Sequence, residues 1–140
     1  METNELHHAS TVAIDGKAAV IFGCSGSGKS TLALRMISLG ATLISDDQTQ
    51  LSLEDGVLVA LAVPEISGKL EVRGVGIIYT PFEPRAIVSL FVDMDKVEET
   101  RLPPAREIVL LGQKATLYHC IKGDHFADAL MQILKYGRSD

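Results

Sequence analysis

The sequence predicts an α/β domain built on a β-rich, mixed sheet, and three observations carry that expectation. The stretch Gly23-Cys24-Ser25-Gly26-Ser27-Gly28-Lys29-Ser30 fits G-x-x-x-x-G-K-[ST] at every fixed position, between an apolar β-leaning run and a helical pattern. The run that leads into it is entered through Asp15-Gly16, a strong hairpin signal because a type I′ turn needs φ > 0 twice. Roughly eight or more strand-like runs stand against two helical ones, too many strands for simple βαβ alternation.

Taken in order, Thr11–Ile14 and Lys17–Phe22 are the two arms of that first hairpin. An antiparallel partner for the strand before the loop means a mixed sheet rather than a purely parallel one. Ser30–Leu39 reads as a helix: Leu32, Met36 and Leu39, with Ala33 and Ile37, recur at helical spacing, and Gly40 suits the position just past its end. Thr42–Ser45 is a short buried strand that ends at Asp46-Asp47. Thr49–Leu53 and Val57–Val63 flank a hairpin-like Glu54-Asp55-Gly56 turn, and Pro64 closes the pair. From Ile66 to Tyr79 apolar residues are interrupted by Gly68, Gly74 and Gly76, the pattern of a strand with a glycine bulge. Ala86–Asp93 is apolar enough to be buried on both faces, Asp95–Pro104 is a charged loop, and Ile108–Leu111 and Lys114–His119 are strands broken at Gly112. Asp124 is placed to cap a last helix whose stripe is Phe126, Ala129, Leu130, Ile133 and Leu134, ended by Gly137.

A chain of 140 residues suits one domain, 1–140, around a single core, with residues 1–6 as a tail. Hydrophobic residues at 46% and charged ones at 22% fit a globular composition. The net charge of -5, with no Lys/Arg cluster, argues against a general nucleic-acid binder. Met1–Ser10 has neither signal-peptide nor transit-peptide character, and no apolar run approaches the roughly 20 residues that span a bilayer. Cys24 and Cys120 are too few and too isolated for a disulfide framework or a zinc site, so a cytoplasmic location is expected.

The loop Gly23–Ser30 carries the first chemical expectation. Its glycines let consecutive N–H groups turn inward around phosphate oxygens, and the helix it enters favours anions at its N-terminus. Lys29 reaches β- and γ-phosphates, and the Ser30 hydroxyl suits Mg²⁺. Asp46 and Asp47 stand straight after a buried strand, where a carboxylate serves a metal or an attacking hydroxyl; a solvated Asp-rich turn is the plainer alternative. Glu71 and Arg73 share a strand face by the period-2 rule, either as a surface ion pair or as an acid and a base facing the phosphates.

The order of these features resembles the catalytic domain of HPr kinase/phosphorylase, the bacterial enzyme that phosphorylates a seryl residue of the phosphocarrier protein HPr. The residues that carry the resemblance are His8-Ala9-Ser10, the loop Gly23–Ser30, Leu43-Ile44-Ser45-Asp46-Asp47, and the segment from Gly68 to Ile78 containing Glu71-Val72-Arg73-Gly74-Val75-Gly76-Ile77. It extends from about His7 to Leu134. The resemblance implies a fold similar to phosphoenolpyruvate carboxykinase, use of ATP and Mg²⁺, HPr as partner in regulation of the phosphotransferase system, and a homohexameric assembly. It implies Asp47 as proton acceptor for the seryl hydroxyl with Asp46 beside it near the metal, although the residues alone do not say which of the two is the base. It implies Ser30 and Glu71 as Mg²⁺ ligands, His8 and Lys29 as active-site residues, and Arg101, matched through Leu102-Pro103, as a further one.

Two departures from the family pattern stand out. The matching region starts almost at Met1, so a single-domain form without an N-terminal regulatory domain is expected. Ile121-Lys122-Gly123-Asp124-His125 lacks the Pro-Gly-Arg-Asn type of sequence associated with target docking and phosphorolysis, so a kinase with little or no phosphorylase activity is expected. A P-loop kinase of a small metabolite, or a nucleotide-binding regulator without turnover, are the competing expectations; the first would need a closed acceptor pocket, and the second has no use for a base.

Overall fold

The structure is a computed structural model that describes residues 3–139. It contains eleven strands, two α-helices and one 3₁₀ turn, Pro64–Ile66. The strands are β1 (Asn4–His7), β2 (Ala9–Ile14), β3 (Lys17–Phe22), β4 (Thr42–Ser45), β5 (Thr49–Glu54), β6 (Val57–Leu61), β7 (Lys69–Val72), β8 (Gly76–Tyr79), β9 (Arg85–Val97), β10 (Arg106–Leu110) and β11 (Gln113–Cys120). The helices are α1 (Lys29–Ser38) and α2 (Phe126–Tyr136).

Nine strands form one sheet in the order β1-β5-β6-β9-β3-β2-β4, with β11 also on β9 and β10 outside it. The pairs β3–β9 and β9–β11 are parallel and the others antiparallel, so the sheet is mixed as expected. β9 is long enough to serve both arrangements. Its first residues pair antiparallel with β6, and its later ones lie between β3 and β11.

Alternation along the central strands sends side chains to two cores. Val12, Ala19, Ile21, Leu90 and Val92 meet α1 and α2 through Leu32, Met36, Phe126, Leu130 and Leu134. Ala13, Ala18, Val20 and Phe91 point the other way, where the curled outer strands cover them with Leu51, Leu58 and Ala60. Burial on both faces accounts for the unbroken apolar runs in β3 and in the middle of β9.

Four expectations are corrected. Residues 4–6 are not a tail: β1 pairs with β5 from Asn4↔Ser52 to His7↔Thr49, while residues 1 and 2 lie outside the described residues. The segment 66–79 is a separate hairpin, β7–β8, rather than a bulged strand. Gly74, at φ 83°, turns the chain, Val75 N–H bonds the Val72 carbonyl, and Arg73 sits at the tip instead of on a strand face. β9 runs on to Val97: β11 pairs with it in parallel at residues 90–93 and, after a bulge that leaves 94–96 without β11 partners, again at Val97, where Glu98 N–H bonds the Cys120 carbonyl, so the polarity that suggested a loop is overridden. α2 begins after His125, which makes no side-chain cap bond; Gly123, at φ 118°, reverses the chain and leaves Asp124 in the turn.

No helix among the described residues is long and apolar enough to cross a membrane.

Candidate active site

β3 delivers the loop Gly23–Gly28 to the start of α1, whose first residue is Lys29. Gly26 and Gly28 hold φ of 84° and 103°, which side chains resist. Gly23 is constrained by space as well: a Cβ there would collide with Ser27 Oγ. Ser27 N–H bonds the Cys24 carbonyl at 3.0 Å, and Lys29 Nζ donates to the same carbonyl at 3.2 Å. The lysine is 5% exposed, so its charge is held across the mouth of the loop.

β4 leads to the two carboxylates, and Ser45 Oγ closes the turn by donating to the Gln48 carbonyl at 2.5 Å. Asp47 adopts φ 66°, a left-handed conformation that Asp tolerates better than most side chains. The two neighbours therefore face different surroundings. Asp46 is 6% exposed and fully engaged: Oδ1 accepts from Ser10 Oγ and Ser30 Oγ, each at 2.8 Å, and Oδ2 accepts from Glu71 N–H at 3.0 Å. It ties β2, α1 and β7 together. The Asp47 side chain is 62% exposed, and its partner is His8, whose Nε2 lies 2.5 Å from Oδ1. An ionised carboxylate only accepts, so the imidazole N–H donates. Ser10 links the pair, since its Oγ also accepts the Asp47 N–H at 3.1 Å.

Lys29, Ser30, Asp47, Glu71 and Arg73 line one cavity of about 210 Å³ with Ser25, Gly26, Gly28 and Thr31. The Arg73 guanidinium hangs over the loop, 3.4 Å from where a Cβ on Gly26 would be. Cys24 and Ser27 shape the loop from outside the cavity lining, and His8 reaches the cavity only through Asp47.

Arg101 is not brought there. It is exposed and lines a different cavity of about 200 Å³ with Glu98, Arg106, Tyr118 and His119, sharing no residue with the loop cavity. The long β9–β11 pairing draws the 98–105 segment toward α2 and away from the loop.

Asp95 is the residue that sequence reading missed. Both of its carboxylate oxygens lie 3.1 Å from Cys24 N–H, and Oδ1 lies 3.2 Å from the thiol. The thiol and amide of Cys24 hold the Asp95 carboxyl below its ordinary range, and Asp95 in turn pushes the Cys24 thiol up. The only signal was an Asp-x-Asp at the end of an apolar strand, and β9 places it beside the loop by pairing Asp93 with Phe22.

A family model for the HPr serine kinase C-terminal domain matches residues 1–100. The chain belongs to this family. The match stops short of β10, β11 and α2, whose likeness is structural. The HPr(Ser) kinase/phosphatase from Coxiella burnetii superposes with a TM-score of 0.76 over 94% of this chain and 88% of that one, at 23% sequence identity, which shows the shared fold. Relatives named HPr kinase/phosphorylase include one from Clostridium botulinum, 42% identical over 71 residues, or 51% of this chain and 23% of the relative. One from Geobacillus is 38% identical over 96 residues, covering 63% of this chain and 31% of that relative. The chain thus spans between about a quarter and a third of the length of these family members.

Proposed function

We propose that the chain is a protein serine kinase that uses ATP and Mg²⁺ to phosphorylate a seryl residue of the phosphocarrier protein HPr or a close relative, acting in the cytoplasm as a homo-oligomer, hexameric by family resemblance. The observation that carries this reading is the division between the adjacent carboxylates. Asp46 is locked by three hydrogen bonds, while Asp47 is exposed on the cavity that holds Lys29.

The residues around Ser30 suit a hard cation. Its hydroxyl, with the Glu71 carboxylate on the same cavity and Asp46 behind, offers oxygen donors only. Few protein ligands suffice for Mg²⁺, because that ion keeps waters and phosphate oxygens in its shell. Bound there, Mg²⁺ would neutralise charge on the transferred phosphoryl group.

The chain's own residues do the rest. Lys29 leaves the Cys24 carbonyl for a phosphate oxygen, and the loop amides hold the triphosphate. Asp47, oriented by His8 and by Ser10, accepts a hydrogen bond from the seryl hydroxyl and takes its proton as the new O–P bond forms and ADP departs. Arg101 has no part in this account, since the chain holds it elsewhere.

Asp47→Asn keeps the turn and the volume but removes the base. ATP affinity is expected to change little, while transfer falls by roughly a hundredfold or more, read by calorimetry and by a kinase assay. Equal loss of both sinks the base assignment. Phosphorolysis is expected to be weak because residues 121–125 lack the family's docking sequence; brisk pyrophosphate release from phosphoseryl-HPr in excess phosphate contradicts that.

A further inference from the structure

We infer that the apolar cavity between α1 and α2 is the subsite for the base and ribose of the nucleotide, an inference that rests on the phosphate-loop reading above. The loop cavity has only polar, charged or glycine lining, so it suits phosphates and offers a base no apolar wall. Beside it opens a larger cavity of about 520 Å³, within the range of small-molecule sites. Leu32, Leu34, Met94, Phe126 and Ala127 give it an apolar surface, and Ile121 closes one side.

Continuity decides the occupant. Gly28 and Thr31 line both cavities, so the two meet at the first turn of α1. A triphosphate held by the loop and by this turn directs its nucleoside end past Thr31. Arg35 follows Thr31 by one helical turn on the same face and lines the same cavity, where its planar cation suits a base or ribose hydroxyls. Met94 forms the floor at the junction, with its Cε 3.4 Å from where a Cβ on Gly28 would be. Cys120 also lines the cavity and gives it its own reporter.

The test compares ATP with tripolyphosphate, which has the phosphates and no nucleoside, in Mg²⁺ buffer. Ala127→Phe fills the cavity from a wall residue that is 3% exposed. Calorimetry is expected to show ATP binding weakened by roughly tenfold or more, with tripolyphosphate binding unchanged. In the unaltered chain, ATP is expected to slow alkylation of Cys120, mapped by peptide, while tripolyphosphate does not. If Ala127→Phe loses both ligands, the substitution has disturbed the loop itself, and Cys120 protection in the unaltered chain decides. Unchanged ATP affinity in Ala127→Phe, or unprotected Cys120 with ATP bound, overturns the nucleoside subsite and leaves the loop reading intact. If the unaltered chain binds neither ligand, the loop reading fails and this inference fails with it.

Discussion

Asp47 and Asp46 are neighbours in sequence with opposite surroundings, and one backbone angle, φ 66° at Asp47, is what parts them. Asp46 points inward to hydroxyls and an amide, and Asp47 points out to His8 and the cavity. That pairing of a locked and an exposed carboxylate was not legible from the residues, which showed only two carboxylates after a strand. The loop Gly23–Ser30 was legible, because its spacing states a backbone geometry directly. Asp95 was not, because its partner Cys24 is brought to it by strand pairing rather than by sequence. Its carboxylate raises the Cys24 thiol above the ordinary range, so this exposed thiol stays protonated and slow to react at neutral pH. Asp95→Asn removes the opposing charge, and alkylation of Cys24 near neutral pH is expected to be several-fold faster; an unchanged rate would show that Asp95 does not govern the thiol.

Among the elements, those specified by local turn chemistry were readable. Asp15-Gly16 and Asp55-Gly56 both hold paired positive φ values and close the β2–β3 and β5–β6 hairpins where the residues placed them. Those that depend on distant partners were not. β1 is short and polar, yet β5 pairs with it; β9 bulges past Asp95 and Lys96 and rejoins β11 at Val97. The exit of β9 is then fixed to β10 by Glu98, which receives Arg106 Nε and Nη2 at 2.8 and 3.0 Å. The guanidinium holds the Glu98 carboxyl down at about 2, against an ordinary 4.5. Because the folded value is the lower one, this contact stabilises fully above about pH 4.5 and is lost as pH falls toward about 2. Glu98→Gln is therefore expected to lower the thermal midpoint at neutral pH, with the gap to the unaltered chain closing as the pH drops through that window. A gap that stays constant from neutral pH to pH 2 would contradict the assignment.

At the scale of the whole molecule, the mixed sheet with a core on each face follows from one central feature. β3, β2 and the middle of β9 are buried on both sides, so helices must cover one face and the sheet must curl to cover the other. This arrangement brings the ends of β3, β4 and β9 and the β7–β8 hairpin around one loop, which is how residues scattered from His8 to Asp95 come to share a site. The α/β class, the hairpin feeding the loop and the family were legible; the separate hairpin and the divided carboxylates needed the chain's own tertiary contacts. Phosphoryl transfer to a protein hydroxyl is read by incubating the chain with γ-labelled ATP, Mg²⁺ and purified HPr and mapping the label. Label is expected on one seryl residue of HPr, dependent on Mg²⁺ and lost with Asp47→Asn. ATP binding without any transfer to HPr, or transfer only to a small metabolite, would contradict it.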